Sequence, residues 1–330
     1  MTHMERGAGV TDMERGAGGN RVERGAGAVK RLTVVILNWN GLADTRAALA
    51  SFLRCEAPAA WQVDLMVVDN DSTDGSVETL RREFPQVDVL ALRENRRFSG
   101  GNNEGLKRAL GLGADAVMLA NNDTEADPGL ITGLLAALDR DPKAGAAAPL
   151  IFFAEPRDLI WYAGATCVPA LGLAAHRGLR KKNRGQYRKV EETGYLTGCC
   201  LLATREAWGK VGLLDESYFI YAEDADWSLR AREAGFKLLF APGARMWHKV
   251  SAASGAASPW KIYQRLRANL TLFARHARGI GRWTWLPSYL AQQAVLFAWL
   301  VARGQVGAAF AVPRALWDAA RGQPAAEVKL

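Results

Sequence analysis

Two acidic clusters in this chain have the residue types and spacing for chemistry. In Ala120-Asn-Asn-Asp-Thr124, Asp123 follows a short apolar run. A carboxylate at the end of a buried strand can hold a hard divalent cation together with diphosphate oxygens. In Gly212-Leu-Leu-Asp-Glu-Ser-Tyr-Phe-Ile-Tyr-Ala-Glu-Asp-Ala-Asp-Trp227, the acids Glu223, Asp224 and Asp226 crowd one expected helix start. The helix dipole favours acids there, but three exceed what capping requires. Asp224 is suited to take a proton from an attacking hydroxyl, with Glu223 beside it. His248, in Met246-Trp-His-Lys249, follows at a spacing that returns it to the same cleft, although a lone histidine serves structure as readily.

Three further clusters suit a nucleotide. VVILNWNG (34–41) ends an apolar run on Asn38 and Asn40, polar groups for a base or ribose. VVDNDSTDGS (67–76) presents Asp69 and Asp71, and Asp69 suits the imide N–H of a uracil or thymine. A capped strand-to-helix turn reads the same way. Asn95-Arg-Arg-Phe-Ser-Gly-Gly-Asn-Asn103 sets two glycines before an expected helix. Its helix N-terminus and arginines favour phosphate. Substrate contacts are expected in these clusters at Asn38, Asn40, Asp69, Asp71, Arg97, Gly100, Gly101 and Asn102, and outside them at Asn122, Gly198 and Trp227.

These groups need a frame. Leu32–Leu37, Val63–Val68, Val87–Leu92 and Ala116–Ala120 read as buried strands, with helices over 42–54, after Asp74, and over 102–111. Strands alternating with helices predict a doubly wound, mostly parallel α/β sheet, whose ligands bind beyond the carboxyl ends of the strands. The polar clusters lie at those ends. Tyr195–Ala203 reads as a strand entering a helix near Thr204, and Glu223–Ala234 as a helix stopped by Gly235. Phe236–Phe240 and Ala244–His248 read as two short strands. Residues 258–276 and 284–320 read as helices, with Pro287 and Pro313 as breaks.

Half of the 330 residues are apolar, which excludes a wholly disordered protein. Residues 1–30 carry a nine-residue MERGAG-type repeat, too short and Gly-rich to bury a core, so a disordered tail is expected. Cys55, Cys167, Cys199 and Cys200 form no CxxC pair, which suits a reducing compartment, and the N-terminus has no apolar stretch of a secretory signal. Net charge is +8, but residues 245–330 alone carry +10, leaving −2 elsewhere. The stretch 177–189 adds seven Lys/Arg and no acid. Five tryptophans from Trp260 onward alternate with arginines, a pattern for attachment to an anionic membrane surface. Packing on the catalytic domain or a homodimer contact would use the same residues. Beside an apolar, Trp-rich segment, this charge fits lipid better than nucleic acid.

The order of the motifs resembles family 2 glycosyltransferases, especially their rhamnosyltransferase-like bacterial branch. The shared pieces are VVILNWNG, VVDNDSTDGS, ENRRFSGGNNEG, ANNDT, GYLTGCCLLATREAW, GLLDESYFIYAEDADWSLRAREAG and MWHKVSAASG, spanning roughly residues 32–255. The resemblance implies a GT-A fold over 31–255, a nucleoside-diphosphate sugar donor, a divalent metal (Mg²⁺ or Mn²⁺) and inversion at the anomeric carbon. It assigns Asp69 to the base, Asp123 to the metal with His248 as a second ligand, and Asp224 to the catalytic base with Glu223 beside it. Asn121 stands where many relatives have Asp. Residues 256–330 would be a helical membrane-interface segment. The expected enzyme is an inverting hexosyltransferase of cell-envelope polysaccharide biosynthesis, moving a sugar such as rhamnose onto a glycan or lipid-linked glycan at the cytoplasmic face of the plasma membrane. A sugar nucleotidyltransferase would place a basic, Gly-rich loop after the first strand, where NWNG stands. A non-catalytic nucleotide-sugar binding protein would not need the Glu223–Asp224 pair.

Overall fold

Strands buried on both faces read as unbroken apolar runs, and the runs found in the first third of the chain pair in parallel. β1 (Lys30–Asn38) lies between β2 (Trp61–Asp69) and β4 (Ala116–Asn121), and β3 (Asp88–Ala91) extends the sheet beyond β2. The structure, a computed structural model, describes residues 29–250 and 258–323. The expected disordered tail and the end of the MWHKVSAASG stretch lie outside the described residues. Helices α1 (Leu42–Phe52), α2 (Ser76–Glu83) and α3 (Arg97–Gly111) make the crossovers. Asp74 ties two of them: its Oδ1 accepts from Ser76 N and its Oδ2 from Leu42 N, each at 3.1 Å.

α3 begins five residues earlier than the sequence suggests. Gly100, Gly101 and Gly105 therefore fall inside it; Gly101 and Gly105 face the sheet, and Gly100 faces Arg96 and Glu216. A Cβ on Gly101 would stand 2.5 Å from Leu37 Cδ1, and one on Gly105 would overlap Val35 Cγ1. The glycines bring α3 against β1 and β2.

The remaining elements complete the sheet and add a separate antiparallel pair, β8 with β9. They are β5 (Thr124–Ala126), α4 (Leu130–Leu138), β6 (Ala144–Phe153), β7 (Ile160–Tyr162), β8 (Ala165–Val168), β9 (Leu173–His176), β10 (Glu191–Glu192), β11 (Cys200–Thr204), α5 (Arg205–Val211), α6 (Glu223–Glu233) and β12 (Lys237–His248). The strand order is β10-β12-β6-β11-β4-β1-β2-β3. β11 runs antiparallel to β4 and β6, whereas β12 runs parallel to β6. The architecture is thus a mostly parallel α/β sheet. β12 is one strand where two were expected. A register shift between Ala241 and Arg245 takes up Pro242 and Gly243 without ending the strand.

Three helices follow: α7 (Pro259–His276), α8 (Gly281–Ala302) and α9 (Val306–Ala320). Pro287 and Pro313 lie inside α8 and α9 and do not break them; both sit on exposed sides. The break comes at Gly304, whose φ of 69° is the left-handed conformation that ends helices. Among the described residues, no helix is long and apolar enough to cross a membrane.

Candidate active site

The sheet reverses direction of growth at β1, whose neighbours β2 and β4 follow it in opposite directions, so the crevice lies beyond the ends of β1 and β4. Polar side chains fill that edge in one network. Asn38 Nδ2 donates to Asp69 Oδ2 at 2.7 Å, while Asn38 Oδ1 accepts from Thr45 Oγ1 at 2.7 Å and Asn122 Nδ2 at 3.3 Å. Asp69 Oδ1 accepts from Ser72 N at 2.9 Å. Asp69 is 1% exposed, with both oxygens engaged. It organises the loop from below and does not display the open carboxylate expected for a base. The exposed positions above it are Asn40 and Asp71, both with left-handed backbone (φ 48° and 68°). Asn40 Oδ1 accepts from Thr73 N at 2.7 Å, which holds the two loops together.

β5 turns back antiparallel to the end of β12 and pairs His248 with Thr124. This register brings His248 Nε2 to 3.1 Å from Asp123 Oδ1. Burial alone would raise the Asp123 carboxyl, but the hydrogen bond and charge of His248, with Lys249, hold it below the usual range. The His248 Nδ1 is buried with no partner, and the ring is edged by Trp161 at 4.7 Å. One carboxylate and one imidazole therefore converge, and among the described residues no third His, Cys, Asp or Glu completes a cluster. Two protein ligands suit a divalent ion that takes its other oxygens from a diphosphate and water.

The loop entering α3 corrects three expectations. Gly100 and Gly101 serve helix packing. Asn102 is buried, and its Nδ2 donates to Phe98 O at 3.0 Å within its own helix. Arg96 is committed to Glu104 and Glu216. Arg97 remains exposed, its guanidinium 4.5 Å over the Phe219 ring. Asn103, which the sequence did not single out, clamps the loop before α6: it donates to Leu214 O at 2.9 Å and accepts from Leu214 N at 3.0 Å.

That loop ends in two successive non-glycine residues with positive φ, Tyr221 (70°) and Ala222 (66°), directly before Glu223. Strained backbone of this kind persists only where surrounding contacts fix it, and it concentrates at functional sites. The three acids then separate. Asp224 Oδ2 accepts from Gly198 N at 2.8 Å, and its Oδ1 from Ala225 N at 2.7 Å. Glu223 is buried, with Oε2 unpartnered. Burial pushes both carboxyls up, and the charge of Asp224 pushes Glu223 further. Asp226 turns away, to Arg230 at 2.8 Å and to His276. Trp227, expected at the substrate, is fully buried against Trp208, and its Nε1 donates to Gly212 O at 2.8 Å. It is a core residue.

Glu223, Asp224, Asn121, Gly198 and His248 line one cavity of about 550 Å³. Its other walls were not foreseen. Phe98, Trp161, His176, Tyr195 and Tyr221 give it aromatic sides, and Arg265 and Asn269 of α7 line it too. His176 is enclosed by Trp161, Tyr162 and Tyr195, and burial lowers its pKa to about 4, so it is neutral. Several cations read as membrane contacts are instead bonded to protein. Arg267 donates to Gln323 O, Arg275 pairs with Asp215, and Arg278 lies 3.5 Å from Glu233. In the basic stretch, Arg177 pairs with Glu191 at 2.6 Å and stacks on Tyr187.

Residues 30–269 match the family described as "Glycosyltransferase like family 2". The chain is 32% identical over 213 residues to the N-acetylglucosaminyl-diphospho-decaprenol L-rhamnosyltransferase of Mycobacterium tuberculosis, a match covering 58% of this chain and 68% of that one. Its fold is similar to that of GalNAc-T7 with UDP, GalNAc and Mn²⁺ (TM-score 0.59, 16% identity), over 76% of this chain but only about half, 49%, of that one. It is also similar to the mannosyltransferase PcManGT from Pyrobaculum calidifontis with GDP-Man and Mn²⁺ (TM-score 0.55, 16% identity), over 87% of this chain and 86% of that one. The strand order, the acid pair in its cavity and these matches agree: the chain is a glycosyltransferase with a GT-A fold and belongs to the glycosyltransferase-like family 2.

Proposed function

We propose that this enzyme moves a deoxyhexose, L-rhamnose or a sugar like it, from a nucleoside diphosphate to a hydroxyl of a lipid-linked glycan, with inversion. The carrying observation is that Asp224 lies in the same cavity as His248, the partner of Asp123. A base and a diphosphate-anchoring pair thereby face one space of sugar size. The rhamnosyltransferase relative supports the sugar and the lipid-linked acceptor.

In this reading Asp123 and His248 would hold a divalent ion, which would supply positive charge to neutralise the leaving diphosphate. Arg97, exposed at the start of α3, adds a cation on the donor side. The loops carrying Asn38, Asn40, Asp71 and Asn122 form the floor for the nucleoside. Asp224 takes the proton of the acceptor hydroxyl as its oxygen bonds to the anomeric carbon. The bond from that carbon to the diphosphate breaks with its electron pair leaving on phosphate. One displacement inverts the centre. The backbone donors from Gly198 and Ala225 fix the Asp224 carboxylate so that it points the same way in each turnover. Glu223 is the neighbouring acid whose protonation is favoured by burial. Arg265 and Asn269 would meet the acceptor, and Arg265 is the cation placed to receive its phosphate.

The four cysteines are free, which suits a reducing, cytoplasmic setting. The loop after β1 carries no Lys or Arg, which leaves a sugar nucleotidyltransferase without its basic phosphate loop. A donor-hydrolysis screen across UDP-, GDP- and dTDP-sugars with Mg²⁺ or Mn²⁺ tests the proposal. Release of nucleoside diphosphate from a dTDP-deoxyhexose is expected; release from none of them would overturn it.

A further inference from the structure

We propose that the outward faces of α8 and α9 form a docking surface for an anionic lipid bilayer. The proposal deepens the acceptor reading, because it says where a lipid-linked acceptor would be met. On α8, Trp283, Leu286, Leu290, Ala294, Phe297 and Val301 recur at helical spacing on one side. On α9, Val306, Phe310, Pro313 and Trp317 do the same. Trp283 is 82% exposed, Phe310 64% and Trp317 63%. Apart from Phe297, which packs partly against the core, neither helix spends these large apolar side chains inside, and neither is apolar enough to enter the membrane as a span.

Charge selects the partner. Asp318, the acid between residues 282 and 323, is buried, accepts from Tyr263 Oη at 2.9 Å and lies 3.8 Å from Arg314, which leaves Arg282, Arg303 and Arg321 exposed with no carboxylate beside them in the same stretch. Arg303 lies 4.8 Å over Trp299 and Arg321 5.6 Å over Trp317, so cation and aromatic are presented together. Headgroup phosphates and the apolar layer beneath them complement that combination. A second copy of this face would bring arginine against arginine with no acid to answer it.

The surface also leads to the cavity. Thr284 Oγ1 donates to Ala170 O at 2.7 Å and Ser288 Oγ to Leu171 O at 2.9 Å, which seats α8 on the turn before β9. β9 then supplies Ala174, Ala175 and His176 to the cavity wall. Leu171 and Leu179, on either side of β9, are exposed, and Leu179 lines the cavity. An acceptor anchored in the bilayer would need to rise only past this apolar rim.

The test is co-sedimentation of the full chain with vesicles of phosphatidylcholine alone or mixed with phosphatidylglycerol. Binding to the mixed vesicles is expected, weakening in high salt. The combined variant Trp283→Gln, Phe310→Gln, Trp317→Gln should lose roughly tenfold or more of that binding, as should Arg282→Gln, Arg303→Gln, Arg321→Gln. Donor hydrolysis without vesicles reads the active site separately, and both variants should retain it. A wild type that ignores vesicles while hydrolysing donor would overturn the docking surface and leave the reaction standing. So would equal vesicle binding by the variants. A wild-type dimer that the apolar variant dissociates, with no vesicle binding, would give the face to a second copy instead.

Discussion

His276 Nε2 stands 2.8 Å from Asp226 Oδ1, in the seam where α7 meets α6. The side chains are 6% and 4% exposed, and Asp226 also bonds Arg230 at 2.8 Å and Tyr218 at 3.3 Å. The third acid of the cluster is thus a tie between α6 and the C-terminal helix α7. It ties down the helix that brings Arg265 and Asn269 into the wall of the cavity that also holds Asp224.

Removing that tie should loosen the fold. His276→Ala leaves Asp226 with Arg230 and Tyr218 but takes away one buried bond, a loss of about 1–3 kcal/mol. The melting temperature should fall by several degrees. Burial alone would raise the Asp226 carboxyl, yet its hydrogen bonds to His276 and Arg230 hold it below the usual range. A depressed folded pKa stabilises the fold above the unfolded value near 3.9, and the gain is lost as pH falls through the folded value. Melting curves should therefore drop in acid below about pH 4, and Asp226→Asn should flatten that drop while being less stable at neutral pH.

Glu223 should behave in the opposite sense. Burial and then the charge of Asp224 raise its carboxyl. Its protonated form is fully retained below the unfolded value near 4.3, and that advantage disappears as pH rises through the folded value. Glu223→Gln should match the wild type near pH 4 and melt higher than it with increasing pH. A constant difference across the range would show that the raised carboxyl is not what distinguishes them.

Gly101 separates packing from ligand binding. An alanine there would crowd Leu37 and Asn70, so Gly101→Ala should cost about 1–3 kcal/mol of stability. Unchanged melting would return the glycine to the substrate.

The metal pair gives a direct binding readout. Asp123→Asn and His248→Ala should each weaken Mn²⁺ binding roughly tenfold or more, measured by calorimetry with nucleoside diphosphate present. Unchanged affinity for both would move the metal elsewhere.

Much of this site was legible because strand ends announce themselves. The runs through Leu37 and Ala120 stop at Asn38 and Asn121, and a parallel sheet leaves few places for such groups except its crevice. The crowding of Glu223, Asp224 and Asp226 was legible, but not that Asp226 would turn away to Arg230 and His276. Nor was burial. Asp69 and Trp227 have the residue types of binding groups, and only the packing of Ser72 and Trp208 around them turns both inward. Arg265 carries no signal of its own, because it stands in a stretch where arginines alternate with tryptophans. Its place in the cavity depends on His276 meeting Asp226, a contact between residues fifty apart that no local pattern reports.

The central claim is that Asp224 takes the acceptor proton, and the most direct measurement is turnover of Asp224→Asn beside its affinity for donor. The amide keeps the size of the side chain but cannot accept the proton. Transfer should fall by about 10²-fold or more, with donor affinity near that of the wild type. Near-normal transfer by Asp224→Asn would contradict the account.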